Sequence, residues 1–205
     1  MGGGDASLAI DLLKNLKTKN CLPGKYILLE ISDSLIKLQK DNIKKSIPDL
    51  YYLFEWKNSL KGLSIDGLII ANEFFDALPT ERFRVIDDNV ECLFIGIDGD
   101  SYKYIWNSAP SNFIKELELA KNNHEIYFKN NYISEINLHY KKWLKSLDKV
   151  LKSGVIFLID YGYNSKEYFL EDRSEGTLVC VHNHQPNFEP MVNIGEQDLS
   201  SFVNF

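Results

Sequence analysis

The chain has 205 residues, room for one domain, and its 44% hydrophobic, 13% aromatic and 25% charged composition excludes disorder, collagen and coiled coil. No apolar run nears the ~18 residues of a membrane span, and the Met-Gly-Gly-Gly start lacks the basic and apolar regions of a signal peptide. A net charge of −6 argues against a nucleic-acid surface, and three widely spaced cysteines (Cys21, Cys92, Cys180) exclude a disulfide scaffold and fit a reducing, cytoplasmic compartment.

Leu8, Leu12, Leu13 and Leu16 form an apolar stripe at helical spacing, with Asp5 or Ser7 as the cap. Cys21-Leu22-Pro23-Gly24 breaks that helix, and Tyr26–Ile31 reads as a buried strand. Ser32 caps a helix predicted over roughly 33–45, and a short strand is expected near Tyr51–Phe54. Gly67–Ala71 is apolar throughout, which suits a strand covered on both faces. Residues 81–106 change character: Arg82–Ile86, the polar turn Asp87-Asp88-Asn89 and Val90–Ile97 predict a hairpin, extended by Tyr102–Trp106. Pro110 opens a helix to about Lys121. Residues 130–152 carry the clearest helical periodicity, from Ile133 to Leu151, with Gly154 as the stop and with Tyr127, Tyr140 and Trp143 as core residues of that helix. Val155–Ile159 is a second fully apolar strand, and another falls around Thr177–His182.

Strands alternating with helices predict a single α/β domain over 1–205: a doubly wound, mostly parallel sheet with an antiparallel insertion at roughly 81–106. Ligands in such sheets bind at the carboxyl ends of strands. The residues just after each apolar run are therefore the candidates. Gly2-Gly3-Gly4, ahead of the first helix, is either a frayed end or a loop that lets backbone approach a ligand. Glu30 ends a strand, where a carboxylate can accept bonds from ribose hydroxyls or simply face solvent. Trp56 is a purine-stacking candidate or a core aromatic. Asn72-Glu73-Phe74-Phe75-Asp76 sets two carboxylates and an amide among aromatics, able to hold or deprotonate a cationic nitrogen, or alternatively to cap a helix. Asp160 and Tyr161 stand at the corresponding end of the second apolar strand. Cys180, His182 and His184 alternate on one face, but no second ligand pair accompanies them and no metal is expected.

Gly2-x-Gly4, Leu29-Glu30-Ile31-Ser32, Ala71-Asn72-Glu73-Phe74-Phe75-Asp76-Ala77-Leu78-Pro79 and Ile159-Asp160-Tyr161-Gly162-Tyr163 together resemble the MidA-like S-adenosylmethionine-dependent methyltransferases. These are relatives of a mitochondrial complex I assembly factor that methylates an arginine. The resemblance implies a class I, Rossmann-like fold, S-adenosylmethionine as donor and a protein arginine as acceptor, with a respiratory complex I subunit as the family-level partner. It assigns Gly2 and Gly4 to the loop under the donor's methionine part and Glu30 to the ribose. Asn72, Glu73 and Asp76 fall beside the transferred methyl, and Asp160 and Tyr161 at the same cleft. The family's third loop glycine is replaced by Ala6, and Phe202 and Asn204 stand where relatives carry His or Asp and Asp. The pattern predicts the middle of a longer enzyme, lacking the first central strand. Its alternative is an inactive fragment or a fold-retaining assembly scaffold. A nucleotide-binding oxidoreductase on the same plan lacks its Gly-x-Gly-x-x-Gly.

Overall fold

The computed structural model describes residues 1–99 and 101–205. In chain order it holds α1 (Ser7–Thr18), β1 (Tyr26–Leu29), α2 (Asp33–Ser46), a 3₁₀ segment (Pro48–Leu53), β2 (Phe54–Lys57) and β3 (Ile65–Asn72). Next come β4 (Glu81–Ile86), β5 (Asn89–Asp98), β6 (Ser101–Ser108), α3 (Ser111–His124), β7 (Tyr132–Ile136), α4 (Tyr140–Val150) and β8 (Leu151–Ile159). The last part holds β9 (Gly162–Tyr163), α5 (Ser165–Tyr168), β10 (Val179–His182), β11 (Gln185–Asn187), β12 (Asp198–Ser200) and β13 (Val203–Asn204). The chain divides into two compact units, Met1–Phe74 with Leu144–Ile159, and Phe75–Trp143 with Asp160–Phe205. No helix among the described residues is long and apolar enough to cross a membrane.

In the first unit β1 pairs in parallel with β2, and β3 with β8. Leu13 and Ile43, from α1 and α2, are fully buried with Leu28, Leu50, Leu53 and Phe54. Ser32 does cap α2, its hydroxyl accepting from the Leu35 N–H. The cap of α1 is neither Asp5 nor Ser7 but Ala6, at φ 72°, while Asp5 accepts from the Ser7 N–H. The strand expected near 51–54 begins only at Phe54. Pro48 starts a 3₁₀ segment whose Leu50 and Leu53, three apart, both face the core. Gly154 does not stop a helix. It lies inside β8 directly opposite Gly67.

The expectation that β3 is covered on both faces fails on one side. Leu68 is 60% exposed, and its neighbours across the pair, Val155 and Phe157, are about half exposed. Apolar periodicity records what a face could bury, not what lies on it.

The second unit is built on an antiparallel sheet in the order β6-β5-β4-β7. Asp87 and Asp88 turn the β4–β5 hairpin with positive φ at both positions, the geometry whose twist matches that of the strands. Phe83, Phe113, Leu117, Tyr132 and Phe169 fill its core. A three-stranded sheet β11-β10-β12 and the parallel pair β9–β13 complete it.

The long helix expected over 130–152 is the largest correction. Its first part is β7, paired along its whole length with β4, and Asn137 then opens α4 by accepting from the His139 and Tyr140 N–H groups. Backbone pairing with β4 overrides a periodicity that happens to run across two elements. Tyr127, expected in the core, precedes the strand and is exposed, whereas Tyr140 and Trp143 do lie on α4. The fold is thus α/β, with parallel pairs and a separate antiparallel sheet.

Candidate functional site

In the first unit, one buried side chain gathers the predicted residues. Gln39, on α2, is fully buried. Its Nε2 donates to the Gly4 carbonyl at 2.9 Å and to Glu30 Oε2 at 3.4 Å, while its Oε1 accepts from Trp56 Nε1 at 2.9 Å. Glu30 Oε1 also accepts from the Ile31 and Ser32 N–H groups, which fixes the carboxylate at the end of β1. Gly2 and Gly4 both hold positive φ, 65° and 48°, which only glycine adopts freely. A Cβ on Gly2 would sit 3.1 Å from the Asn72 carbonyl oxygen, so the glycine segment closes on the carboxyl end of β3. There Glu73 takes the left-handed φ of 45° and donates its N–H to the Ile159 carbonyl. Gly2, Gly4, Glu30, Trp56, Asn72 and Glu73 therefore belong to one unit. Trp56 has one ring face covered by the Lys40 ammonium at 5.1 Å and packs on Phe54.

The same unit contains a cavity of about 770 Å³, walled by apolar residues such as Leu12, Leu16, Leu29 and Ile69. Gly2, Gly3 and Asn72 line it, but Glu30 and Trp56 do not. The polar groups suited to a nucleoside thus lie apart from this large greasy space.

In the second unit, Asp160 Oδ2 accepts from the Phe75 N–H at 2.9 Å and the Asp76 N–H at 3.3 Å. The two predicted acidic motifs meet there. Asp160 Oδ1 accepts from the Tyr161 N–H. The C-terminal segment ties in as well, with Ser201 donating to the Asp76 carbonyl and Val203 to that of Tyr161. Tyr161's ring is largely exposed. Tyr140 packs on Phe75, with ring centroids 5.5 Å apart. Burial first, then the Asp160 and Asp76 charges, push its phenol pKa up, so both carboxylates act on that ring.

Sequence reasoning missed Gln39 and gave Tyr140 only a packing role. A signal for Gln39 existed: it occupies the Ile36–Ile43 face of α2, where an apolar residue would be expected. Among the described residues no cluster of metal-ligating side chains occurs.

The whole chain, residues 1–205, matches a family model described as "Putative S-adenosyl-L-methionine-dependent methyltransferase". No curated protein matches it. Among solved structures, it is similar to a COG1565 superfamily member from Burkholderia thailandensis bound to S-adenosyl-homocysteine, at 25% identity and a TM-score of 0.90. That alignment covers 100% of this chain and 51% of the other. A native crystal structure of a COG1565 superfamily protein from the same organism aligns at 24% identity and a TM-score of 0.89, covering 100% and 53%. The chain spans about half the length of the solved structures it matches.

Proposed function

We propose that this chain, which belongs to that S-adenosylmethionine-dependent methyltransferase family, transfers a methyl group to a nitrogen of a protein arginine side chain on a Rossmann-like class I fold. The observation that carries the reading is the junction of Gly4, Glu30 and Trp56 through Gln39. S-adenosylmethionine supplies an activated methyl on a sulfonium. The residues present fit that donor: a glycine segment with positive φ admits the methionine part closely, and a fixed carboxylate at a strand end can accept from both ribose hydroxyls. Gly2 and Gly4 take the first role and Glu30 the second. Trp56 contributes by anchoring Gln39, since its covered face leaves less room for stacking. Asn72, the last residue of β3, and Glu73 attend the transferred methyl. Asp76, Asp160 and Tyr161 orient the acceptor nitrogen. As the nitrogen's lone pair displaces the sulfur, the released proton passes to a carboxylate or to water. Within the family resemblance, a respiratory complex I subunit is the acceptor protein and the cytoplasm the compartment.

The test is calorimetric titration of the 205-residue chain with S-adenosylhomocysteine. Glu30→Gln should weaken binding by roughly 10- to 100-fold, as expected for losing charge-assisted bonds of about 1.5–3 kcal/mol. Unaltered affinity in that variant would remove Glu30 from the donor site. Mass spectrometry of methylated arginine peptides then tests the acceptor. The half-exposed face at Leu68, Val155 and Phe157 favours a second reading, an assembly scaffold that keeps the fold. A folded chain that ignores S-adenosylhomocysteine would decide for it.

A further inference from the structure

The cavity of about 770 Å³ in the first unit lies against the edges of two strands. Every residue of β1 lines it, and so does the whole run 65–70 of β3. Side chains alternate between the two faces of a sheet, so a space touched by consecutive residues abuts backbone edge rather than a face. Among the described residues β1 pairs only with β2, and β3 only with β8, which leaves one edge of each without a strand beside it.

The groups on those edges follow from the pairing. Successive residues of a strand turn their N–H and C=O to opposite edges. Glu30 donates its N–H to the Lys57 carbonyl, so Leu28 faces β2, while Ile27 and Leu29 face the cavity. Glu73 donates to the Ile159 carbonyl, so Ile69 and Ala71 face β8, while Leu68 and Ile70 face the cavity. A separate bond agrees: the Met1 amino group donates to the Ile70 carbonyl at 2.7 Å. Both strands run toward the glycine segment. A Cβ on Gly2 would sit 3.1 Å from the Asn72 carbonyl oxygen, and one on Gly3 3.0 Å from Leu28 Cδ2. Lys25, ahead of β1, and Ser64, ahead of β3, line the opposite end and are exposed. The wall between is apolar. Leu8 and Leu12, four apart on α1, line it, whereas Ile10 and Leu13 of the same helix are buried in the core. Burial pushes the Met1 amino pKa down, so the glycine end disfavours charge.

We infer that this space is a slot for one β-strand, an extended apolar peptide segment of about five or six residues from a second polypeptide, bonding the free edges of β1 and β3 together. The strand lies parallel to both, with its carboxyl end toward Met1. The edges select a peptide over an acyl chain, because an apolar tail would cover those N–H and C=O groups without bonding them. The leucine wall selects Val, Ile or Leu side chains, of which the β-branched pair suits an extended backbone. The slot stands independently of methyl transfer.

The experiment titrates the 205-residue chain with the N-acetylated peptide amide KKVIVVVG, its lysines placed for the exposed end, where Asp66 lies. Saturable binding is expected. The same peptide with alternate backbone nitrogens methylated keeps its side chains but loses the N–H groups toward one edge, and should bind at least tenfold more weakly. Bound peptide should slow amide hydrogen exchange at Ile27, Leu29, Leu68 and Ile70 at least tenfold more than at Leu28 and Ile69, which already pair. Leu8→Trp, which fills the slot from the half-exposed flank of α1, should weaken binding at least tenfold with an unchanged circular dichroism spectrum. If that variant does not fold, the methylated peptide and the exchange pattern decide on the parent chain. No saturable binding, equal binding of the methylated peptide, or decanoate as the tighter ligand overturns the inference.

Discussion

Gln39 shows how one amide can organise a site. Its side chain spends both ends on groups from three segments: the glycine loop, the end of β1 and β2. Each partner would otherwise be a polar group turned toward the core. Gln39→Leu keeps the helix and much of the volume but strands the Gly4 carbonyl and the Trp56 N–H. The expected loss is about 1–3 kcal/mol of stability by denaturant unfolding, with weaker S-adenosylhomocysteine binding at temperatures where the variant is still folded. Stability equal to that of the parent chain would show that water replaces these bonds. Glu135 is a second case, a buried carboxylate with one oxygen served by Thr177 and the Arg82 guanidinium 3.6 Å from the other. The candidate-site residues Glu30, Asn72, Glu73, Asp76 and Asp160 were legible because each follows an apolar run. Gln39 and Glu135 were not, since a polar residue inside a periodic stretch looks the same whether it is buried or solvated.

At the scale of elements, parallel pairing of β3 with β8 depends on two facing glycines. Gly67 and Gly154 sit in register with φ of 145° and 134°, and a Cβ on Gly154 would run into the Gly67 backbone. Gly154→Ala should cost about 3 kcal/mol or more, because backbone rather than a flexible side chain must give way. A midpoint of urea unfolding within error of the parent would mean the strands can shift apart at little cost. The helices were largely readable: α1, α2 and α3 fall where their stripes and the Ser32 cap predicted. The 130–152 stretch was not, because β7 is specified by its partner β4, some fifty residues earlier in the chain. Short strands carry too few residues for their own pattern to outweigh a chance helical spacing.

For the whole molecule, the notable feature is an apolar face left open on the β3–β8 pair. Leu68, Val155, Phe157 and Ile159 are all about half exposed or more, and their register places them side by side. Monomeric proteins rarely leave such bands uncovered. The folded chain should therefore enhance the fluorescence of an apolar dye such as anilinonaphthalene sulfonate, and Phe157→Ser should reduce the enhancement without loss of secondary structure. A dark native state would mean that the face is covered in solution.

The sequence by itself determined the α/β class, the glycine segment, the carboxylates at strand ends and the hairpin turn at Asp87-Asp88, because each depends on neighbours a few residues away. Only the tertiary structure decided which polar groups meet. The joining of Gly4 to Glu30 and Trp56, the contact of Asp160 with the Phe75 and Asp76 amides, and the seating of Glu135 over Gly176 all link residues distant along the chain. It also decided that one face of β3 is open. Local pattern reports the preferences of each residue, whereas burial and hydrogen bonding are settled by what the rest of the chain brings alongside.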